Sequence, residues 1–160
     1  MRDKMRWLYF ILISSTLAFG QKYTGPRPPK PDVPYLVHAD NLLPTEVLNA
    51  KPEAKHNEIT FTIEGASSPA RTPLAEPIFL IESDKISAQS LELYKVDVKG
   101  GRREVTMAQR RFRGGPKPLR LSVTRLDSNL YRVEVDEQID NGEYALSPNG
   151  SNTVFCFEVY

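Results

Sequence analysis

Nine residues, Gln109-Arg110-Arg111-Phe112-Arg113-Gly114-Gly115-Pro116-Lys117, hold four cations, one aromatic ring and no acid. Arg102 and Arg103 precede them, and no Asp or Glu lies between Val105 and Arg125. Arginine presents a planar fork that matches carboxylates and phosphates, and lysine supplies a point charge. Arg110, Arg111, Arg113 and Lys117 are therefore the first candidates for chemistry. They would form an anion-binding loop for an acidic polysaccharide, a lipid phosphate or an acidic partner. The opposing reading is a solvated connection whose charges are balanced by acidic neighbours.

A second candidate is the segment from Ala66 to Pro77, with Pro69, Pro73 and Pro77 around Arg71. Loops of this length are often functional. Prolines would stiffen this one and lower the entropy lost on binding. Arg71 is the candidate contact residue of this loop, and the competing reading is a rigid crossover between two sheets.

Other chemistries lack their spacing. His38 and His56 are the two histidines, 18 residues apart, with Asp40 and Glu46 nearby. No pair has the short spacing that marks a metal site, so solvated loop histidines are expected. Serines are many, but no Gly-x-Ser-x-Gly turn holds one beside a base. No glycine-rich phosphate loop follows a strand and opens a helix. No catalytic, metal or cofactor residue is assigned. Cys156 is the single cysteine and sits in Val154-Phe155-Cys156-Phe157, where a buried, inert thiol is expected. Asn149-Gly150-Ser151 has the form of a glycosylation sequon but reads as turn chemistry.

The elements that must position these residues have a period of two. Ile59, Phe61 and Ile63 alternate with Thr60, Thr62 and Glu64. Ile78 to Ile81 is a continuous apolar run, as in a strand covered on both faces. Leu91 to Lys99 is a strand whose apolar parity switches between Leu93 and Tyr94, which predicts a bulge or bend. Gly100-Gly101 predicts a two-residue hairpin turn into a return strand, Arg103 to Ala108. Alternation resumes at Leu119 to Thr124 and at Tyr131 to Asp136. A last pair, Glu143 to Ser147 and Thr153 to Val159, flanks a Pro-Asn-Gly turn. The final strand is apolar on both faces, which predicts a central position. Tyr35 to Val37 reads as a short strand. Thr45 to Lys51 reads as one or two helical turns with Thr45 as N-cap and Pro52 as terminator. About eight strands at regular spacing, with no long helical pattern, predict an all-β antiparallel sandwich of 7–9 strands.

Asp140-Asn141-Gly142-Glu143-Tyr144 has the spacing Asp-x-Gly-x-Tyr. It resembles the tyrosine corner of immunoglobulin-like sandwiches, in which a tyrosine opening strand F bonds back to the preceding turn. Leu146 stands where the second disulfide cysteine would be, so the resemblance is to the disulfide-free, fibronectin-like branch. The last hairpin also resembles that of small exported bacterial domains. The resemblance implies structural roles for Tyr144 and Asp140 and makes Ile59 to Glu64 the first strand. It carries no catalytic residue across.

Residues 1–20 read as a secretory signal. Arg2, Lys4 and Arg6 precede an apolar run, Trp7 to Ile13, and Ala18 and Gly20 suit the −3 and −1 positions of a cleavage site. The run is too short to be a comfortable membrane span. Residues 21–34, with five prolines, read as an extended linker, and residues 35–160 as the sandwich. Three basic residues and one acidic residue lie within 1–20, which leaves 18 basic against 19 acidic, a net of −1. Such a balance gives no whole-molecule argument for nucleic acid or an anionic membrane, and no nucleic-acid partner is expected. The expectation is an exported, periplasmic or extracellular, non-catalytic binding or accessory module. Its partner would be a protein, an acidic glycan or another envelope component. The alternatives are an envelope assembly component acting by β-strand addition and, more weakly, a hydrolase with a loop-built site.

Overall fold

A computed structural model describes residues 22–108 and 115–160. The proposed signal at 1–20 and the cations Arg110, Arg111 and Arg113 lie outside the described residues. Among these residues the chain forms thirteen strands. They are β1 (Tyr35–His38), β2 (Asn41–Pro44), β3 (Glu46–Asn49), β4 (Lys51–Lys55), β5 (Glu58–Ile63), β6 (Arg71–Thr72), β7 (Ile78–Glu82), β8 (Leu91–Lys99), β9 (Arg102–Ala108), β10 (Leu121–Arg125), β11 (Leu130–Val135), β12 (Gly142–Pro148) and β13 (Thr153–Val159). A single 3-10 turn, Ala88–Ser90, precedes β8. No helix among the described residues is long and apolar enough to cross a membrane.

The fold is an all-β sandwich. The first sheet has the order β10-β11-β7-β1-β2 and the second β3-β13-β12-β8-β9-β5-β4. These pairings are antiparallel; β6 adds a short parallel contact to the end of β13. The main core lies between the sheets. Leu36, Phe79, Ile81 and Val133 from the first sheet meet Leu93, Leu146, Phe155 and Phe157 from the second. Phe157 is central: Phe79 meets it edge-on at 5.1 Å and Tyr144 stacks on it at 5.5 Å. Fully burying one such side chain is worth about 1.5–3 kcal/mol.

Several expectations from the sequence hold. Gly100 and Gly101 turn with φ of +57° and +76°, the left-handed region that glycine enters without penalty. β13 is central, between β12 and β3. β7 is also central, and its outer face is covered. Leu80 on that face lines a shallow hollow with Tyr23 and Pro26. Pro28 and Pro34 are buried, and Arg27 pairs with Glu82 at 3.4 Å and with Asp127. The proline-rich arm thus lies against the first sheet, which explains the unbroken apolar run in β7.

Other expectations do not hold. Thr45 to Lys51 is extended, not helical. The Thr45 hydroxyl donates to the Pro34 carbonyl at 2.8 Å and does not cap a helix. Glu46, Leu48 and Ala50 then face one side and Val47 and Asn49 the other. Ile59 to Glu64 is not the first strand: β1 to β4 precede it, and it lies beyond β9 in the second sheet. The parity switch in β8 is not a bulge. Its register with β12 is continuous from Leu91 to Val96. Leu91 and Leu93 enter the main core, whereas Val96 enters a second core on the opposite face.

That second core arises because the second sheet curls. Its edge strands, β3 and β4, are separated only by Ala50, so one extended segment pairs with β13 through its first half and with β5 through its second. The edges of the sheet therefore meet. Ala50, Ile63, Val96, Ala145, Val154 and Cys156 are buried on the concave face.

Candidate binding site

The curled sheet is split along one seam. β8 and β9 pair only at their hairpin end, Asp97–Lys99 against Arg102–Glu104. Beyond it, β9 stays with β5 and β8 stays with β12. Leu119 donates its backbone N–H to the Leu93 carbonyl at 2.8 Å, taking the place that β9 has left. The strands splay and open a cleft of about 250 Å³ into the concave face.

Period-two alternation decides which side chains line it. Phe61 opposes Val105 across the β5–β9 pair. Phe61, Val105 and Met107 make one wall, and Tyr94 and Glu92 the other. Ala145 and Val154 form the floor. The turn from Pro148 to Asn152 closes one end, and Gly150 there has a φ of +77°.

Among the described residues that line it, Glu92 is the only Asp, Glu, Lys, Arg or His. Its Oε2 accepts the Tyr94 hydroxyl at 2.9 Å, and its Oε1 accepts the Asn149 side-chain amide at 3.1 Å. Both donors are neutral. Burial, and then the adjacent Glu92 carboxylate, push the Tyr94 phenol up to about 12. Tyr94 is therefore a protonated donor at any physiological pH. A carboxylate oxygen can accept two bonds, so Glu92 keeps accepting capacity toward the cleft.

Deeper in the same concave face lies a buried polar cluster. Arg103 is fully buried. Its guanidinium donates to Glu46 at 2.8 Å, to Glu143 at 3.4 Å, and to the carbonyls of Gly65 at 3.0 Å and Glu64 at 2.7 Å. The Ser68 backbone N–H donates to both Glu143 oxygens at 3.1 and 3.2 Å. Burial raises Glu143 above the ordinary carboxylate range despite these donors. The Cys156 thiol is buried beside them, and desolvation pushes it up to about 12 against the pull of Arg103. So Arg103 does not extend the basic patch that the sequence suggests. Its charge is neutralised inside the fold.

The residues singled out from sequence fall in separate places. Lys117 is exposed on the connection before β10. Arg71 is engaged: it makes a two-point pair with Glu158 at 2.8 and 3.0 Å and lies 4.4 Å from the Tyr160 ring centroid. This pins β6 to β13. The Tyr144 hydroxyl donates to the Asp140 carbonyl at 2.6 Å. His38 ends β1 with a buried Nε2 that has no hydrogen-bond partner among the described residues, so it is not a solvated loop histidine. His56 sits in the β4–β5 turn with a φ of +54°. Among the described residues no three His, Cys, Asp or Glu side chains converge as metal ligands.

The cleft residues were not candidates from sequence. Their one signal was the second apolar parity, Tyr94 and Val96 in β8 and Ala145 in β12, which implies a second covered face. No known protein family, curated protein or solved structure matches the chain.

Proposed function

We propose that the chain is an exported, non-catalytic binding module that seats its ligand in the cleft of the curled sheet. The observation that carries this reading is the shape of the cleft. It has apolar and aromatic walls, backbone turns at one end and a single oriented carboxylate. Sites of this kind sit at the mouths of curled sheets and barrels, where a few fixed polar groups orient an apolar ligand. At about 250 Å³ the cleft lies just below the ~300–1,000 Å³ of sites for whole drug-sized ligands. It suits one ring or one chain end.

We also read the sandwich as immunoglobulin-like. The order β1-β7-β11-β10 corresponds to A-B-E-D, and β13-β12-β8-β9 to G-F-C with one added strand. The bond from Tyr144, early in β12, to Asp140 supports the same assignment. β2 to β5 would then be an insertion after the first strand, and this insertion completes the cleft.

The test is a titration with indole, a neutral ring of suitable size, followed by amide chemical shifts. Saturable shifts at Ala145, Val154 and Gly150 are expected, and they should vanish in Val105→Trp, which fills the cleft from one wall. Circular dichroism would check that the variant is folded. Shifts scattered over the surface, or none at these residues, would overturn the reading.

A further inference from the structure

We propose that the cleft selects ligands whose apolar body ends in an ammonium group, with Glu92 as the counter-ion. This rests on the binding reading above and names its ligand class.

The argument is one of charge and solvation. Glu92 is half-buried at the cleft wall, and among the described residues no Lys, Arg or His lines the cleft beside it. Its two hydrogen bonds come from a phenol and an amide, which orient the carboxylate without neutralising it. Most other half-buried carboxylates here have a cation. Glu46 has Arg103, Glu104 has Lys99, Glu134 has Arg132 and Glu158 has Arg71. Among the described residues Glu92 has no cationic partner, and its carboxylate is held in place beside apolar walls. A positive head group would supply the missing partner, and a negative one would meet repulsion from the half-buried carboxylate.

The walls favour the same class. Phe61 and Tyr94 present aromatic rings to the cleft. Ring faces attract cations through their quadrupole, most strongly where water is partly excluded. An aryl or alkyl body would lie against Phe61, Val105 and Met107, and its ammonium would reach Glu92. Two sources share this chemistry: a free amine, and the side chain of a lysine on a partner polypeptide.

The experiment compares three probes of one ring system at low salt. Tryptamine carries an ammonium, indole is neutral, and indole-3-propionate is an anion. Tryptamine should bind about fivefold or more tighter than indole, the scale of a half-exposed ion pair with a cation–π contribution. Indole-3-propionate should bind weakest. In Glu92→Gln, the ratio of tryptamine to indole affinity should fall to about one. The indole arm shows that the variant is folded and the cleft intact. A peptide, acetyl-Phe-Lys-amide, and its side-chain-acetylated form separate the two sources. Preference for the free lysine over the acetylated form assigns a polypeptide ligand, and tryptamine binding without peptide binding assigns a small amine. Equal affinity for the three indoles would overturn the ammonium inference and leave the binding module standing. Tighter binding of the propionate would also overturn it. No cleft shifts with any probe would remove both readings.

Discussion

Glu92 and Tyr94 lie two residues apart on one face of β8, and the Tyr94 hydroxyl donates to the Glu92 carboxylate at 2.9 Å. Residues i and i+2 of a strand share a face by geometry alone. The pair is therefore built by local sequence and survives small shifts in the surrounding loops. Tyr94→Phe tests its purpose. The variant should be close to wild type in stability, within about 1 kcal/mol, since Tyr94 is half-buried. It should lose part of the preference for tryptamine over indole, because Glu92 then keeps only the bond from Asn149. Titration of both probes against the variant would show it.

Tyr144→Phe removes the bond to the Asp140 carbonyl and keeps the stacking on Phe157. Stability should fall by about 1 kcal/mol, the usual net worth of one hydrogen bond. Indole affinity should be unchanged, because Tyr144 faces the main core and not the cleft. Denaturant unfolding with a parallel indole titration measures both. An unaltered midpoint would argue against the corner.

Glu143 gives a pH signature. Its folded value is raised by burial, so the folded protein holds the proton more tightly than the unfolded chain does. The resulting stability is fully present below the unfolded value, about 4.3. It is lost as pH rises through the folded value. Glu143→Gln removes this dependence and keeps an oxygen to accept from Ser68. Relative to wild type, the variant should therefore gain stability as pH rises from 4 to 7. Denaturant midpoints at the two pH values decide it. A relative loss would show that the Arg103 ion pair outweighs desolvation.

The basic segment keeps its own test. Arg110, Arg111, Arg113 and Lys117 changed together to Gln should reduce retention on an anionic polymer matrix at low salt. The difference should shrink as salt rises, since exposed charges are screened over about 8 Å at physiological ionic strength. Equal retention of variant and wild type would leave these residues as a solvated connection.

Export predicts a new N-terminus at Gln21, within a residue or two, in protein recovered from outside the cytoplasm. Intact-mass measurement checks it. Finding Met1 retained in the membrane fraction would contradict it.

Much of the sandwich was legible because strands with one wet face alternate cleanly. β5, β10 and β11 do so, and Gly100 and Gly101 supply the positive φ angles that a two-residue hairpin turn needs. The cleft was not legible, for a physical reason. One wall and the floor belong to strands that are covered on both faces, β8 and β13 among them, where alternation disappears and both parities are apolar. Glu46-Val47-Leu48-Asn49 alternates as a strand does, yet Thr45 before it and Pro52 after it read equally well as helix ends. Only the distant partner β13 decides between them. Arg103 misled for a similar reason. Its neutralising carboxylates, Glu46 and Glu143, lie 57 and 40 residues away in sequence.

The meeting of β3 and β4 at Ala50 has a consequence for the order of folding. β3 and β6 both pair with β13, which follows twelve other strands along the chain. A nascent chain that has not yet released β13 from the ribosome has nothing to hold residues 46–49 or 71–72. These two segments must wait, extended, for more than 80 residues of later sequence. Long-range closure of this kind slows folding and exposes sticky segments meanwhile. A chain of this design gains from meeting a holding chaperone before it folds, and for an exported chain the same delay keeps it unfolded for translocation.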